Sequence, residues 1–329
     1  MSEEELIQRL YEIGLIQHTQ DVASRLSGGV SCLILLIDDG TTRFVVKSAL
    51  EKLNVKEDWF ADLGRNKTEQ EYLSYVGEFL PEAVPKVIYS DNERHFFCME
   101  MLENDLSNWK QRLMAGQCDL EYARRAGVLF GTIHKKSAGD KNAQHKFDTL
   151  NNFYQLRIEP YLLRTGQKHP ELEYLYQKEA ERLASTSTCL VHGDFSPKNI
   201  MVSPDRIVVL DCEVAWYGDP VFDVAFLLNH FMMKAVYKPG KSLDFMEMAK
   251  LIWENYKSTA KELADKNFEG KLCHLLCLLM LARVDGKSPV EYLNEQQQKT
   301  VRSFVYETLP MSIDTFAALQ DLWLERIKN

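Results

Sequence analysis

The chain has 329 residues, 45% of them hydrophobic and 26% charged, with a formal net charge of −9 at pH 7. That is the composition of a globular protein long enough for two structural units, and its acidic balance argues against a nucleic-acid partner, whose phosphates need a basic footprint. Its seven cysteines are scattered, odd in number and without the paired short spacings of a zinc site, so they read as reduced thiols.

Residues 1–19 read as an amphipathic, acidic helix with no basic-then-apolar leader pattern, and the longest apolar run, Leu275 to Ala282, is too short to cross a bilayer. A cytoplasmic protein with no membrane partner is therefore expected, its oligomeric state left open. Two apolar runs, Ser31–Ile37 and Thr42–Ser48, flank Asp38-Asp39-Gly40, which is a hairpin signal. A glycine-containing loop, Ser27 to Ser31 with Gly28 and Gly29, precedes the first run, and Lys47 closes the second. Residues 68–76 have helical periodicity that places Glu69 on the same face as Leu73 and Val76 and turns Glu71 elsewhere. Strands follow around Val87 and from His95 to Met101. The pattern then breaks at Leu102-Glu103-Asn104-Asp105, which sets an expected boundary between an N-terminal unit, 1–102, and a C-terminal unit, 103–329.

From Leu106 the chain is mainly helical, with a buried helix expected over Leu120–His134 and a charged, aromatic region over Phe147–Ser187 that includes Arg157. The most informative stretch runs from Cys189 to Asp211. Asp194 is followed five residues later by Asn199, and Asp211 stands twelve residues beyond that. Between them two short Val/Ile-rich runs flank Ser203-Pro204-Asp205, a hairpin that brings Asn199 and Asp211 to neighbouring strand ends. Two converging oxygen ligands suit Mg²⁺, and Asp194 is placed to take a proton from an attacking hydroxyl. One base and two metal ligands are the minimum equipment for phosphoryl transfer from ATP. Val224–Phe231 reads as a core helix, and Arg283 to Pro289 as a loop in which Arg283 and Asp285 could grip a substrate, or which is simply a solvated turn.

His192-Gly193-Asp194 with Asn199, Asp211-Cys212-Glu213, and Gly218-Asp219-Pro220-Val221-Phe222-Asp223 together resemble the catalytic segments of the aminoglycoside phosphotransferase and choline kinase family. The resemblance is dense from 189 to 230 and thin before 145. It implies an α+β, protein-kinase-like two-lobed fold: a small N-terminal antiparallel-sheet lobe that binds nucleotide and a larger, mostly helical C-terminal lobe. It also implies ATP and Mg²⁺ as cofactors and a small hydroxylated molecule as the partner. Asp194 would be the base, and Asn199 and Asp211 the metal ligands. Lys47, oriented by Glu69, would contact the ATP phosphates beneath the loop of Gly28, Gly29 and Ser31. Met99 would border the adenine, which would bond the Glu100 carbonyl and the Leu102 N–H. Asp223 would hold the backbone of the catalytic loop, and the acceptor would lie near Arg157, Arg283 and Asp285.

A protein kinase is disfavoured: Gly193 stands where an arginine usually reads activation-loop phosphate, and only eleven residues separate Asp211 from Asp223. A non-catalytic nucleotide-binding module is the remaining alternative, although base, metal ligands and lysine are all in place. The family spans aminoglycoside, choline, homoserine and methylthioribose kinases, which differ in the helical region, so the acceptor stays open.

Overall fold

The computed structural model describes residues 1–26, 32–49, 64–102 and 105–328. They form two compact units: Met1–Leu106 with Leu210–Glu213, and Ser107–Val209 with Val214–Asn329.

The smaller unit is an antiparallel sheet clad by helices. Its strands are β1 (Ala23–Arg25), β2 (Cys32–Asp38), β3 (Arg43–Ala49), β4 (Val87–Asp91) and β5 (Phe96–Glu100), in the order β1-β2-β3-β5-β4. The β2–β3 hairpin turns on Asp39, whose Oδ1 accepts from the Thr41 and Thr42 N–H groups at 2.9 and 2.7 Å. Helix α1 (Glu3–Glu12) starts in a capping box between Ser2 and Glu5. It is shorter than the expected span of 1–19 because Gly14, at φ +74°, turns the chain out of the helix. Leu6 and Leu10 of α1 cover one sheet face, packing with Leu35, Ile37, Phe44, Val46, Phe96 and Cys98. Strand side chains alternate between faces, so Val45 and Lys47 point to the opposite face, and helix α2 (Arg65–Gly77) packs on β3, β4 and β5.

The larger unit is mostly helical. Helix Leu120–Ser137 packs along Ser242–Ala260, and Val221–Tyr237 packs against both Ser242–Ala260 and Phe268–Asp285. Its short strands are β6 (Ser107–Asn108), β7 (Cys189–Val191), β8 (Ile200–Val202), β9 (Ile207–Val209) and β10 (Trp216–Gly218). The sequence-expected hairpin is β8–β9, paired antiparallel with Ile200 opposite Val209. Residues 154–163 form a π-helical segment, Tyr154–Leu163, that contains Pro160. Among the described residues, no helix is long and apolar enough to cross a membrane.

Candidate active site

In the smaller unit, Lys47 is buried and sits between two carboxylates. Its Nζ lies 2.8 Å from one oxygen of Glu69 and 2.7 Å from the other, and it also pairs with Asp211. The helical spacing that separates Glu69 from Glu71 thus turns Glu69 toward the sheet, while Glu71 meets Lys67 at 3.8 Å on the outer side. Arg65, fully buried, pairs with Glu213 at 3.0 Å. Three carboxylates therefore face two cations. Burial pushes the Glu69 carboxyl up to about 7, against the pull of Lys47 and with the help of Asp211. Burial also opposes the charge on Lys47, but Asp211 and Glu69 outweigh it and hold the ammonium well above its usual range. Asp211 adopts φ +59°, a left-handed conformation uncommon for a residue with a side chain and concentrated at functional sites.

At the end of β5, Met99 pairs with Val45 and Val87, and Glu100 is the last residue of the ladder, opposite Phe44. The Leu102 N–H has no hydrogen-bond partner among the described residues. Gly28, Gly29 and Ser31 lie outside the described residues.

In the larger unit, β7 delivers the loop His192-Gly193-Asp194. Asp223, in the first turn of Val221–Tyr237, accepts the His192 and Gly193 N–H groups at 2.7 and 2.9 Å and is backed by His134 at 3.3 Å. His192 Nδ1 accepts the Asp194 N–H at 3.1 Å. Gly193 sits at φ +77°, and a Cβ there would lie 2.6 Å from the Val214 carbonyl oxygen, so the loop needs glycine at this point.

Asp194 is buried and clamped. Its Oδ2 lies 3.1 Å from Arg157, 3.1 Å from Lys198 and 3.0 Å from the Asn199 amide nitrogen. Burial alone would raise its pKa, but Arg157, then Lys198 and His192, overcome this and hold it at about 2, fully ionised at neutral pH. Asn199 donates from its amide nitrogen to both the backbone oxygen and the carboxylate of Asp194. Asn199 immediately precedes β8, and Asp211 follows β9 by two residues. The amide oxygen of one and the carboxylate of the other are hard oxygen donors of the kind Mg²⁺ takes. Among the described residues, no group of three or more His, Cys, Asp or Glu side chains forms a closed metal cage.

Two of the three expected substrate residues are placed differently by the structure. Arg157 is a buried partner of Asp194 that also donates to the Gly193 carbonyl at 2.5 Å, so it holds the loop rather than facing open space. Asp285 is tied to Arg302 through two contacts of 2.8 Å and to His169 at 3.1 Å. Both Asp285 and Arg283 belong to the helix Phe268–Asp285, not to the loop, which begins at Gly286. Only Arg283 joins Asp194 in lining a cavity of about 190 Å³. Sequence reasoning missed the cavity's other polar walls: Lys110, Ser196, Lys198, His230, Lys234, Glu291 and Tyr292. One signal was available, because Lys234 interrupts the apolar run Phe231-Met232-Met233-Lys234-Ala235-Val236 inside a core helix.

A sheet-based unit with a buried Lys–Glu pair, together with a helical unit carrying an Asp-x₄-Asn loop, defines the kinase-like fold. Residues 22–243 match the phosphotransferase enzyme family, and the chain belongs to that family. It is 27% identical over 252 residues to the methylthioribose kinase of Yersinia enterocolitica serotype O:8 / biotype 1B, a match covering 66% of this chain and 61% of that protein. The chain thus matches about three-fifths of the length of that curated relative. Among solved structures, it resembles the amicoumacin kinase hAmiN in complex with AMP-PNP, Ca²⁺ and Ami, with a TM-score of 0.61, 12% identity, and coverage of 98% and 97% of the two chains. It also resembles the ADP-bound aminoglycoside phosphotransferase APH(2'')-Ib, with a TM-score of 0.51, 17% identity, and coverage of 99% of each chain. At such identities these likenesses speak for the fold.

Proposed function

We propose that this chain is an ATP-dependent small-molecule kinase that moves the γ-phosphoryl group of ATP to a hydroxyl of a small acceptor. The observation that carries the reading is Asp194: a carboxylate held as an anion by three neighbours, at the wall of a cavity large enough for a small molecule. A carboxylate with so low a pKa is a weak base. Its work is to orient the acceptor hydroxyl and to receive its proton late, which suits the loose transition state of phosphoryl transfer. Asn199 and Asp211 would hold Mg²⁺, which neutralises charge on the phosphates when bound. Lys47, fixed by Glu69, would meet the phosphates from the sheet. The Gly28–Gly29–Ser31 loop would cover them, and Met99, the Glu100 carbonyl and the Leu102 N–H would receive the adenine. The names of the relatives make methylthioribose and aminoglycosides the first acceptors to try.

The test is ADP release in the presence of Mg²⁺ with a panel of hydroxylated acceptors, for the parent and for Asp194→Asn. Turnover should fall by about two to four orders of magnitude in the variant, while ATP binding stays near the parent value. Acceptor-dependent ADP release that survives Asp194→Asn would sink the assignment. ATP binding without turnover for any acceptor would favour the non-catalytic module.

A further inference from the structure

The cavity beside Asp194 is built for negative charge. Four cationic side chains line it, Lys110, Lys198, Lys234 and Arg283, against two carboxylates, Asp194 and Glu291. Both carboxylates are already engaged: Lys198 pairs with Asp194 at 3.1 Å and Lys110 with Glu291 at 2.8 Å. Lys234 and Arg283 have no carboxylate partner among the described residues. Arg283 donates to the Tyr161 hydroxyl and to Ser288, and its Nε is buried without a partner. Lys234 is 1% exposed; it donates to the His230 carbonyl at 3.4 Å, and its ammonium lies 5.6 Å from the centre of the Tyr292 ring. Two further buried polar atoms on the same walls, Ser196 Oγ and the Tyr292 hydroxyl, also lack partners.

Leaving a lysine buried and unpaired in a core helix costs a protein stability unless a ligand supplies the counter-charge. Three neighbouring groups register the same positive field. Burial, then Lys110 and Arg283, push Lys234 down to about 7. Burial, then Lys234 and Arg283, hold His230 far below its usual value, hence neutral. Burial would raise the Tyr161 phenol, but Arg283 and Arg157 bring it below its ordinary range.

We infer that the acceptor carries an oxyanion, carboxylate or phosphate, which Lys234 and Arg283 grip while Ser196 and Tyr292 complete its hydrogen bonds, leaving a hydroxyl of the same molecule at Asp194. The inference rests on the kinase reading for the role of the bound molecule, but the anion site itself does not. A forked guanidinium and a buried ammonium suit an oxyanion and would repel the polycationic acceptors that an acidic cavity would take.

Two measurements separate the claims. The first is calorimetric titration, without nucleotide, of inorganic phosphate and of D-gluconate into the parent, Lys234→Met, Arg283→Gln and Lys47→Met. Saturable binding of at least one probe is expected in the parent and in Lys47→Met, weakened about tenfold or more in the other two. Melting curves check folding, and the anion should raise the melting temperature of the parent but not of Lys234→Met. Binding of gluconate alone assigns a carboxylate, and binding of phosphate alone assigns a phosphate. No saturable binding, or binding lost in Lys47→Met and kept in Lys234→Met, overturns the inference. The second measurement is ADP release with ribose, ribose 5-phosphate, gluconate, methylthioribose and kanamycin. The oxyanion-bearing acceptors should show the higher kcat/KM, with acceptor KM raised in Lys234→Met and ATP KM unchanged. Preference for a neutral or cationic acceptor, indifferent to Lys234→Met, overturns the inference and leaves the kinase reading standing. Anion binding that depends on Lys234, without transfer to any acceptor, keeps the site and defeats the kinase reading.

Discussion

Arg157→Met tests whether this arginine holds the catalytic loop or touches substrate. The guanidinium is buried, contacts Asp194 at 3.1 Å and Gly193 at 2.5 Å, and lies over the rings of Tyr161 and Phe226 at 5.8 and 5.7 Å. Methionine keeps the stem and the ring contacts but removes the charge. Asp194 is held at about 2, roughly two units below its ordinary value, which at about 1.4 kcal/mol per unit is about 2.5 kcal/mol of folding stability. Arg157 is the largest favourable contributor to that shift, and breaking a buried pair strands the remaining charge, so the loss should be about 3 kcal/mol at pH 7. In melting temperature this is roughly 6–12 °C for a unit of this size. The sign with pH follows from the lowered pKa. The stabilisation is complete above the unfolded carboxylate value near 4 and is lost as pH falls through about 2. The gap between parent and variant should therefore be widest at neutral pH and shrink in acid. Urea unfolding from pH 3 to pH 7, with turnover measured alongside, reads both. If Arg157→Met matches the parent in stability and kcat but raises acceptor KM, the arginine is a substrate contact and the reasoning fails.

Asp211→Ala and Asn199→Ala should both raise the Mg²⁺ concentration needed for half-maximal turnover, Asp211→Ala by about tenfold or more, because a carboxylate brings full charge and an amide one neutral oxygen; Mg²⁺ titrations equal to the parent would move the metal elsewhere. Lys47→Ala should weaken ATP-dependent turnover more than Glu69→Ala, and Glu71→Ala should leave it nearly intact, since Glu71 pairs with Lys67 on the outer side; a larger defect for Glu71→Ala would refute the orientation of α2. Lys234 is held at about 7 when folded and titrates near 10 when unfolded, so the unfolded chain binds the extra proton in that window and anion-free stability should rise with pH between about 7 and 9. Lys234→Met should flatten that rise in melting-temperature profiles, and an unchanged profile would mean that Lys234 does not titrate there.

The sequence by itself determined much of what depends on local order, although it overran α1 and began the loop after Phe268–Asp285 too early. The hairpin at Asp38-Asp39-Gly40, the hairpin after Asn199 and the kinase-like fold are legible because strand alternation, turn residues and motif spacing are short-range signals. The inward side of α2 is legible for the same reason: Glu69 shares a helical face with Leu73 and Val76, and that face meets the sheet where Lys47 lies. The bond from Asp223 to the His192 and Gly193 amides could be expected from the family resemblance. The walls of the cavity could not. Beyond Arg283, which the sequence had offered, Lys110, Ser196, Lys234 and Tyr292 come from four separated segments, and no periodicity links residues that meet only when helices pack. Arg157 and Asp285 show the same limit, since the sequence offered each either as a substrate contact or as a solvated charge. Packing settled their fates by supplying Asp194 to one and Arg302 to the other. A charge in a sequence states what a side chain can bind. Which opposite charge it meets, and whether water is left to compete, is decided only when distant segments close around it.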